Sequence, residues 1–294
     1  MNKKFGFVSL TGRTNVGKST LLNSLFGKKI AITSRKPQTT RNRIIGIFSE
    51  NNNQIVFLDT PGVHSGFKRA LNKYMNRVAR NCYEEVDLVI FVVDRGRWQK
   101  EEENILKNLK ELNKPIFLVI NKIDRLKSKN NLLPIITDLN SKHDFEGIIP
   151  VSALRKDNIT ELLMRIFEKL PSGEFHYSVS SEKEFSEAFF ISEIIREKAI
   201  NRLGDELPYR INVQIEKVEE GKNIRHIFAN IFVESTSQKA ILLGRKGSMI
   251  KAIGTSARKE LEKEFTSKVN LQLRVKVKRN WTNDVNLLSK YGYN

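Results

Sequence analysis

Eight residues near the start of the chain, Gly12-Arg13-Thr14-Asn15-Val16-Gly17-Lys18-Ser19, have the types and spacing to hold a polyphosphate. The glycines let backbone N–H groups turn inward around phosphate oxygens, and the helix that follows adds its positive dipole end. Lys18 has the reach for β- and γ-phosphate oxygens, and the Ser19 hydroxyl suits Mg²⁺. Thr20 opens the helical pattern that runs to Phe26 and completes the stretch expected to touch the nucleotide. Further on, Asp59-Thr60-Pro61-Gly62 offers a carboxylate for the Mg²⁺ hydration shell and a glycine N–H for a γ-phosphate. Asn121-Lys122-Ile123-Asp124 begins 102 residues beyond Ser19. A carboxylate such as Asp124 accepts from guanine N1–H and the exocyclic amine, a pair of donors that adenine lacks. Asn121 suits N7 or O6 and can tie loops together, while the Lys122 stem can lie along the base. Ser152-Ala153-Leu154 closes the series with backbone N–H groups for guanine O6. Taken in order, these segments predict a GTP/GDP site with Mg²⁺.

Something must carry those groups to one place. Phe5–Leu10, Arg43–Phe48, Gln54–Leu58, Leu88–Val93, Pro115–Ile120 and Gly147–Val151 read as strands, with amphipathic segments between most of them. Each chemical segment follows such a run. An α/β sheet with helices on both faces presents ligands at the carboxyl ends of its strands, which is where these segments fall. The expected domain is 1–171. Pro171-Ser172-Gly173 and the polar residues after it read as a linker, 172–187.

The pattern then changes. Phe185–Leu203 has helical spacing, including Phe189, Ile191, Ile194, Ile195 and Ile200; Ile211-Val213-Ile215 and Ile227-Ala229-Ile231-Val233 alternate as strands. An apolar approach leads to Gly244-Arg245-Lys246-Gly247, a helix runs from Ser248 towards Phe265, and Val269–Val277 alternates strictly. A Gly-x-x-Gly turn between two helices, within helix-strand-strand-helix-helix-strand order, is what a KH module uses to clamp single-stranded RNA. Its glycines let backbone approach the sugar-phosphates and its basic middle pair neutralises them. The expected module is α+β, 188–280, with a tail at 281–294.

Charge supports a polyanion partner. The chain carries a formal +18, and residues 236–294 hold 13 Lys and Arg against 4 Asp and Glu, so one fifth of the length carries half the excess. Such clustering favours nucleic acid over anionic lipid. A single cysteine, Cys82, in an expected helix Tyr74–Val86, excludes an internal disulfide and suggests a reducing compartment. No apolar run nears the ~20 residues that span a bilayer, and the strand beginning within a few residues of Met1 leaves no room for a signal sequence. His64, His143, His176 and His226 are dispersed, without metal-ligand spacing.

At the level of whole motifs the chain resembles the Era family of bacterial GTPases, which carry a C-terminal type II KH domain. The resemblance rests on Gly12–Asn23, Ile32–Arg41, Asp59–His64, Ser192–Lys198, Glu206–Tyr209 and the Gly-x-x-Gly segment, and covers nearly all 294 residues. It implies a P-loop GTPase domain followed by the KH domain. It further implies a cytoplasmic, monomeric ribosome assembly factor that engages the 3′ end of small-subunit (16S) ribosomal RNA in the 30S subunit and releases it on hydrolysis. A link to the cell cycle and peripheral contact with the inner membrane come from the resemblance alone.

Switch one is expected at Ala31–Arg43, where Thr39 or Thr40 offers a hydroxyl to Mg²⁺, and switch two from Asp59 into the next helix. Val63 stands where a Ras-like enzyme places a water-orienting Gln, and an apolar side chain cannot orient water. Slow intrinsic hydrolysis is therefore expected, with Mg²⁺, Lys18 and backbone donors such as Gly62 stabilising the transferring phosphoryl group. Asn15 matches the P-loop Asn that in related GTPases helps hold K⁺. Thr14, where the family usually has Pro, is expected to alter loop rigidity more than chemistry. A nucleotide-modifying enzyme or transporter would need groups or an anchor that are absent from the sequence. A structural RNA binder with a decayed site would have lost one of Lys18, Asp59 or Asp124.

Overall fold

The computed structural model describes residues 3–31, 44–50, 52–59, 86–126, 128–175, 187–204 and 207–290. The rest of both expected switches and the helix expected at Tyr74–Val86, apart from Val86, lie outside these residues. So do Thr39, Thr40, Thr60, Pro61, Gly62 and Val63, and the side chain of Asp59. The described chain falls into two compact units, divided between Glu184 and Phe185.

The first unit is built on β1 (Lys4–Thr11), β2 (Ile44–Glu50), β3 (Asn53–Asp59), β4 (Leu88–Asp94), β5 (Ile116–Asn121) and β6 (Gly147–Pro150), in the sheet order β2-β3-β1-β4-β5-β6. All neighbours are parallel except β2 and β3. The central strands are apolar on both faces and buried throughout: Leu88–Val93 and Ile116–Ile120 have no residue more than 3% exposed. A parallel sheet covered on both sides requires this. Its helices are α1 (Lys18–Phe26), α2 (Lys100–Lys110), α3 (Leu132–Asn140) and α4 (Ile159–Lys169). Register pairs Leu10 with Asp59 and Asp94 with Asn121, so the strands end together along one edge. The chain leaves β1 towards β3 on one side and towards β4 on the other. The crevice at such a reversal is where ligands settle.

Every expected strand of this unit is present, with ends shifted by a residue or two. The connector is the exception. Phe5 N–H donates to Pro171 C=O (3.2 Å), Gly173 N–H to Lys3 C=O (3.0 Å), and Phe175 packs on the sheet core. Ser172–Phe175 therefore continues the first unit, because its backbone finds partners beside β1, and the connecting stretch starts later than Ser172.

The second unit contains α5 (Glu187–Arg202), β7 (Asn212–Glu220), β8 (Ile224–Val233), α6 (Thr236–Leu243), α7 (Ser248–Phe265), β9 (Lys268–Val277) and α8 (Val285–Lys290). The sheet order is β7-β8-β9, with β8 antiparallel to β7 and parallel to β9. This is the αββααβ order of a type II KH domain. A bulge between Ile215 and Lys217 shifts the alternation of β7, so that Val213, Ile215 and Val218 oppose Ile231, Ala229 and Ile227 of the core. Two-residue spacing alone would have put Lys217 there. The expected tail is not free either. Trp281 is fully buried and its indole N–H donates to Arg210 C=O (3.2 Å), while Thr282 donates to Glu234 (2.6 Å).

Candidate functional site

The loop between β1 and α1 turns at two glycines that no other residue could replace without strain. Gly12 has φ +142, and a Cβ there would lie 2.3 Å from Val92 C=O. Gly17 has φ +102, and a Cβ would lie 2.4 Å from Asn121 Nδ2. Asn15 also takes a positive φ, 64°. The loop thus wraps tightly, with Val16 fully buried beneath it and Asn15 exposed above. Gly17 caps α1 without a side-chain hydrogen bond, so the helix start offers its N–H groups and dipole to an incoming anion. Lys18, 8% exposed, folds its ammonium onto the loop and donates to Gly12 C=O (2.8 Å) and Arg13 C=O (2.9 Å). A phosphate oxygen presented to the loop would substitute for those carbonyls. The cradle therefore fits a phosphate chain. Ser19 and Thr20 sit in the first turn of α1, where a hydroxyl can reach a cation beside those phosphates.

The β5 exit joins this loop to the segments expected to read guanine. The Asn121 side chain, 1% exposed, donates to Val16 C=O (2.9 Å), and its Oδ1 accepts from the N–H groups of Lys122 (2.7 Å) and Ala153 (3.0 Å). One amide thus ties phosphate loop, β5 exit and β6 exit together. Lys122, itself at φ 64, stretches across to the loop and donates to Asn15 C=O. Ser152 Oγ donates to Asp124 Oδ1 (2.7 Å), which aims the carboxylate expected to read guanine. Ala153 is buried and its N–H donates to Asn121, whereas Leu154 is 70% exposed.

Two features of this site escaped the sequence reading. Asp94, at the end of β4, accepts from Lys122 Nζ (3.1 Å) through one oxygen and from Arg95 Nε (3.0 Å) through the other. Burial pushes its pKa up, but the hydrogen bonds and charges of Lys122 and Arg95 outweigh that and hold it below the ordinary carboxylate value. Its signal was its place: an acid closing an apolar strand, as Asp59 closes β3. The second is the direction of Arg13. Expected among nucleotide contacts, its side chain instead leaves the cradle for the start of α2, where it meets Gln99 and Glu102.

In the second unit, Gly244 (φ 71, ψ 177) stops α6 and Gly247 (φ 78) caps α7, with Lys246 between them at φ 49. A Cβ on Gly244 would lie 2.7 Å from Met249 Cβ, so backbone packs where a side chain cannot. Arg245 and Lys246 are both exposed. Beside them opens a groove of about 290 Å³, lined by Ile250, Lys251, Gly254, Thr255 and Arg258 of α7 and by Leu271 and Leu273 of β9. None of these groove residues is among those expected from the sequence. The spacing 250-254-258 on one helix face, against alternate positions of the last strand, was the available signal.

Residues 7–122 match the family model described as 50S ribosome-binding GTPase, and residues 206–282 match the KH domain model. The chain is 46% identical over 289 residues to GTPase Era of Histophilus somni strain 129Pt, covering 98% of this chain and 96% of that one. It is 43% identical over 288 residues to GTPase Era of Coxiella burnetii strain Dugway 5J108-111, at 98% and 97% coverage. Two solved structures superpose with TM-score 0.94, 38% identity and 99% coverage of both chains. One is an Aquifex aeolicus Era variant bound to GDP and aluminium fluoride. The other is Era in complex with MgGDPNP and nucleotides 1506-1542 of 16S ribosomal RNA.

Proposed function

The chain belongs to the GTPase Era family, and from that premise we propose that it is a GTP-gated RNA clamp acting in assembly of the small ribosomal subunit. The observation that carries this is one chain holding both an assembled guanine-nucleotide site and a KH turn with its groove. The RNA assignment is supported by the full-length likeness to Era bound to 16S RNA. The GTPase family model is described by binding to the other subunit. That model matches the first unit alone, whereas the likeness to Era bound to 16S RNA spans both units. In this reading 1–175 is the GTPase domain, 176–186 the connection, 187–280 the KH domain and 281–294 its C-terminal extension.

GTP would lie with its phosphates over Gly12–Ser19 and its base between Lys122 and the Asn121/Asp124 pair, with Ser152–Leu154 behind O6. Ser19, Asp59 and Thr39 or Thr40 would hold Mg²⁺, which when bound neutralises charge developing on the phosphates. Lys18 would move from the loop carbonyls to the β- and γ-oxygens, and Gly62 would donate its N–H to the γ-phosphate. With Val63 in place of a water-orienting Gln, turnover by the protein alone is slow. Asn15, exposed at the loop apex, is assigned to a K⁺ ion. GTPase activity should rise several-fold in K⁺ over Na⁺ and lose that response in Asn15→Ala; a change of twofold or less would count against the assignment. The protein would work as a cytoplasmic monomer. Contact with the inner membrane and a cell-cycle link are carried over from the resemblance.

The RNA site would use Gly244 and Gly247 for backbone approach, Arg245 and Lys246 for phosphates, and the α7/β9 groove for unstacked bases. The test is affinity for the 3′ end of 16S RNA with GTP analogue, GDP or no nucleotide, at fixed salt, against a scrambled RNA of equal length. Preference for the true sequence and for the GTP form is expected. Equal binding in all states and to both RNAs would reduce the interaction to charge.

A further inference from the structure

Glu102 lies in the first turn of α2, outside every nucleotide-binding segment, yet its side chain is 0% exposed. One oxygen accepts the Gln99 N–H (3.0 Å), closing a capping box at the helix start. The other lies 2.9 Å from Arg13 Nε, an ion-pair distance without hydrogen-bond alignment. Arg13 Nη1 in turn donates to Gln99 Oε1 (2.5 Å). A carboxylate that a cap alone required could stay exposed, as Glu101 and Glu103 do even while Glu101 lies 3.9 Å from Arg13 Nε and Glu103 accepts from Trp98. Burying it against a guanidinium makes sense where the position of that guanidinium matters, because a buried charge left without its partner is strongly unfavourable.

What Arg13 positions is its own peptide. The C=O groups of Gly12 and Arg13 both accept from Lys18 Nζ, and Gly12 is wedged against Val92 on the other side. From the far end, Asn121 and Lys122 hold the carbonyls of Val16 and Asn15. The guanine-reading segment therefore fixes the second half of the phosphate loop. The first half is anchored outside the nucleotide motifs, by α2.

We propose that Arg13 and Glu102 form a positioning pair through which the start of α2 holds the first half of the phosphate loop in its nucleotide-receptive shape. Neither side chain needs to touch the nucleotide. When Lys18 leaves the loop for the phosphates, Gly12 and Arg13 lose its two hydrogen bonds, and the tether to α2 keeps the N–H groups turned inward. The pair thus acts on binding rather than on turnover.

The test uses the full chain and GDP, with GTP turnover in parallel. Glu102→Gln preserves an acceptor for the helix cap but removes the buried charge beside Arg13, leaving it only the exposed Glu101 carboxylate at 3.9 Å. GDP affinity should fall at least tenfold and KM for GTP rise by a similar factor, while turnover at saturating GTP stays within twofold of the native chain. Arg13→Lys, which can meet Glu102 but not Gln99 at once, should lose less affinity than Arg13→Ala. Combining Arg13→Ala with Glu102→Gln should cost little beyond the worse single change, since both break one contact. Melting of the nucleotide-free variants supplies the folding control. Equal GDP affinity in native and Glu102→Gln chains, or a fall in turnover proportional to lost folded protein, would overturn the proposal. Failure of the native chain itself to bind GDP would overturn the nucleotide site on which it rests.

Discussion

Asn121→Ala probes the joint that assembles the nucleotide site. The side chain makes three hydrogen bonds, to Val16 C=O, Lys122 N–H and Ala153 N–H, and the Val16 and Ala153 contacts are buried. A hydrogen bond contributes about 1 kcal/mol net, and a buried backbone group left unpaired costs about 1–3 kcal/mol. The variant should lose about 3–4 kcal/mol, a large share of the ~5–15 kcal/mol of a typical domain. Unfolding in urea can be followed in the first unit alone, because the two tryptophans fall one to each unit, and in a Trp281→Phe background only Trp98 reports. With a slope of about 2–3 kcal/mol/M, the midpoint should drop by about 1–2 M. GDP affinity should fall by two orders of magnitude or more, since the phosphate loop and the base-reading segment lose their shared support. Asn121→Asp separates the contributions. A carboxylate still accepts from Lys122 and Ala153 but sets a buried, charged oxygen against Val16 C=O, so a loss at least as large as that of Asn121→Ala would place the cost at the Val16 bond. A destabilisation below about 1 kcal/mol with unchanged GDP affinity would show that the site does not hang on this amide.

Asp94 ionises more easily in the folded chain than its reference value of 3.8, so its stabilising contribution is complete above that pH and disappears as pH falls through the lower folded value. Asp94→Asn should flatten the loss of stability on acidification in urea titrations; an unchanged acid limb would remove Asp94 as its source. His143 behaves with the opposite group chemistry: burial first, then Lys110, lowers its pKa below 6.5, so protonation favours the unfolded chain and stability declines as pH drops below that value. His143→Gln should lessen this decline, measured between pH 7 and 5. Replacing Arg245 and Lys246 by Gln should weaken RNA binding and reduce its salt slope by about 1–2, with GDP affinity unchanged. Trp281→Ala should destabilise the second unit by about 3–5 kcal/mol and leave the first unit's transition in place; a small effect would mean that the chain after β9 does not complete the core.

Much of the architecture was legible because the buried strands are short apolar runs whose period leaves little choice. Leu88–Val93 could not be anything exposed. Boundaries were less legible where the decisive bond lies far away: Ser172–Phe175 looks like linker by composition, and only its pairing with Lys3–Phe5 attaches it to the sheet. The β7 bulge was hidden for the same kind of reason. Gln214-Ile215-Glu216-Lys217-Val218 breaks the two-residue alternation, and only pairing with β8 shows that the extra residue returns Val218 to the core.

Gly12–Ser19, Asn121–Asp124 and Gly244–Gly247 carry their chemistry in residue type and local spacing. A positive backbone angle, a long ammonium-bearing side chain and a two-acceptor carboxylate are properties of short segments, so the sequence by itself determined the phosphate-loop motif and the Gly-x-x-Gly turn of the KH domain. Which side chains serve those segments was decided only by the tertiary structure. Asn121 meets Val16 across 105 residues, Ser152 meets Asp124 across 28, and Lys122 meets Asp94 across 28. Arg13, read from its motif as a ligand contact, turns instead to Glu102. Such pairings depend on strand order and register, which bring distant segments to one edge of the sheet, and no local pattern records which partner will stand there.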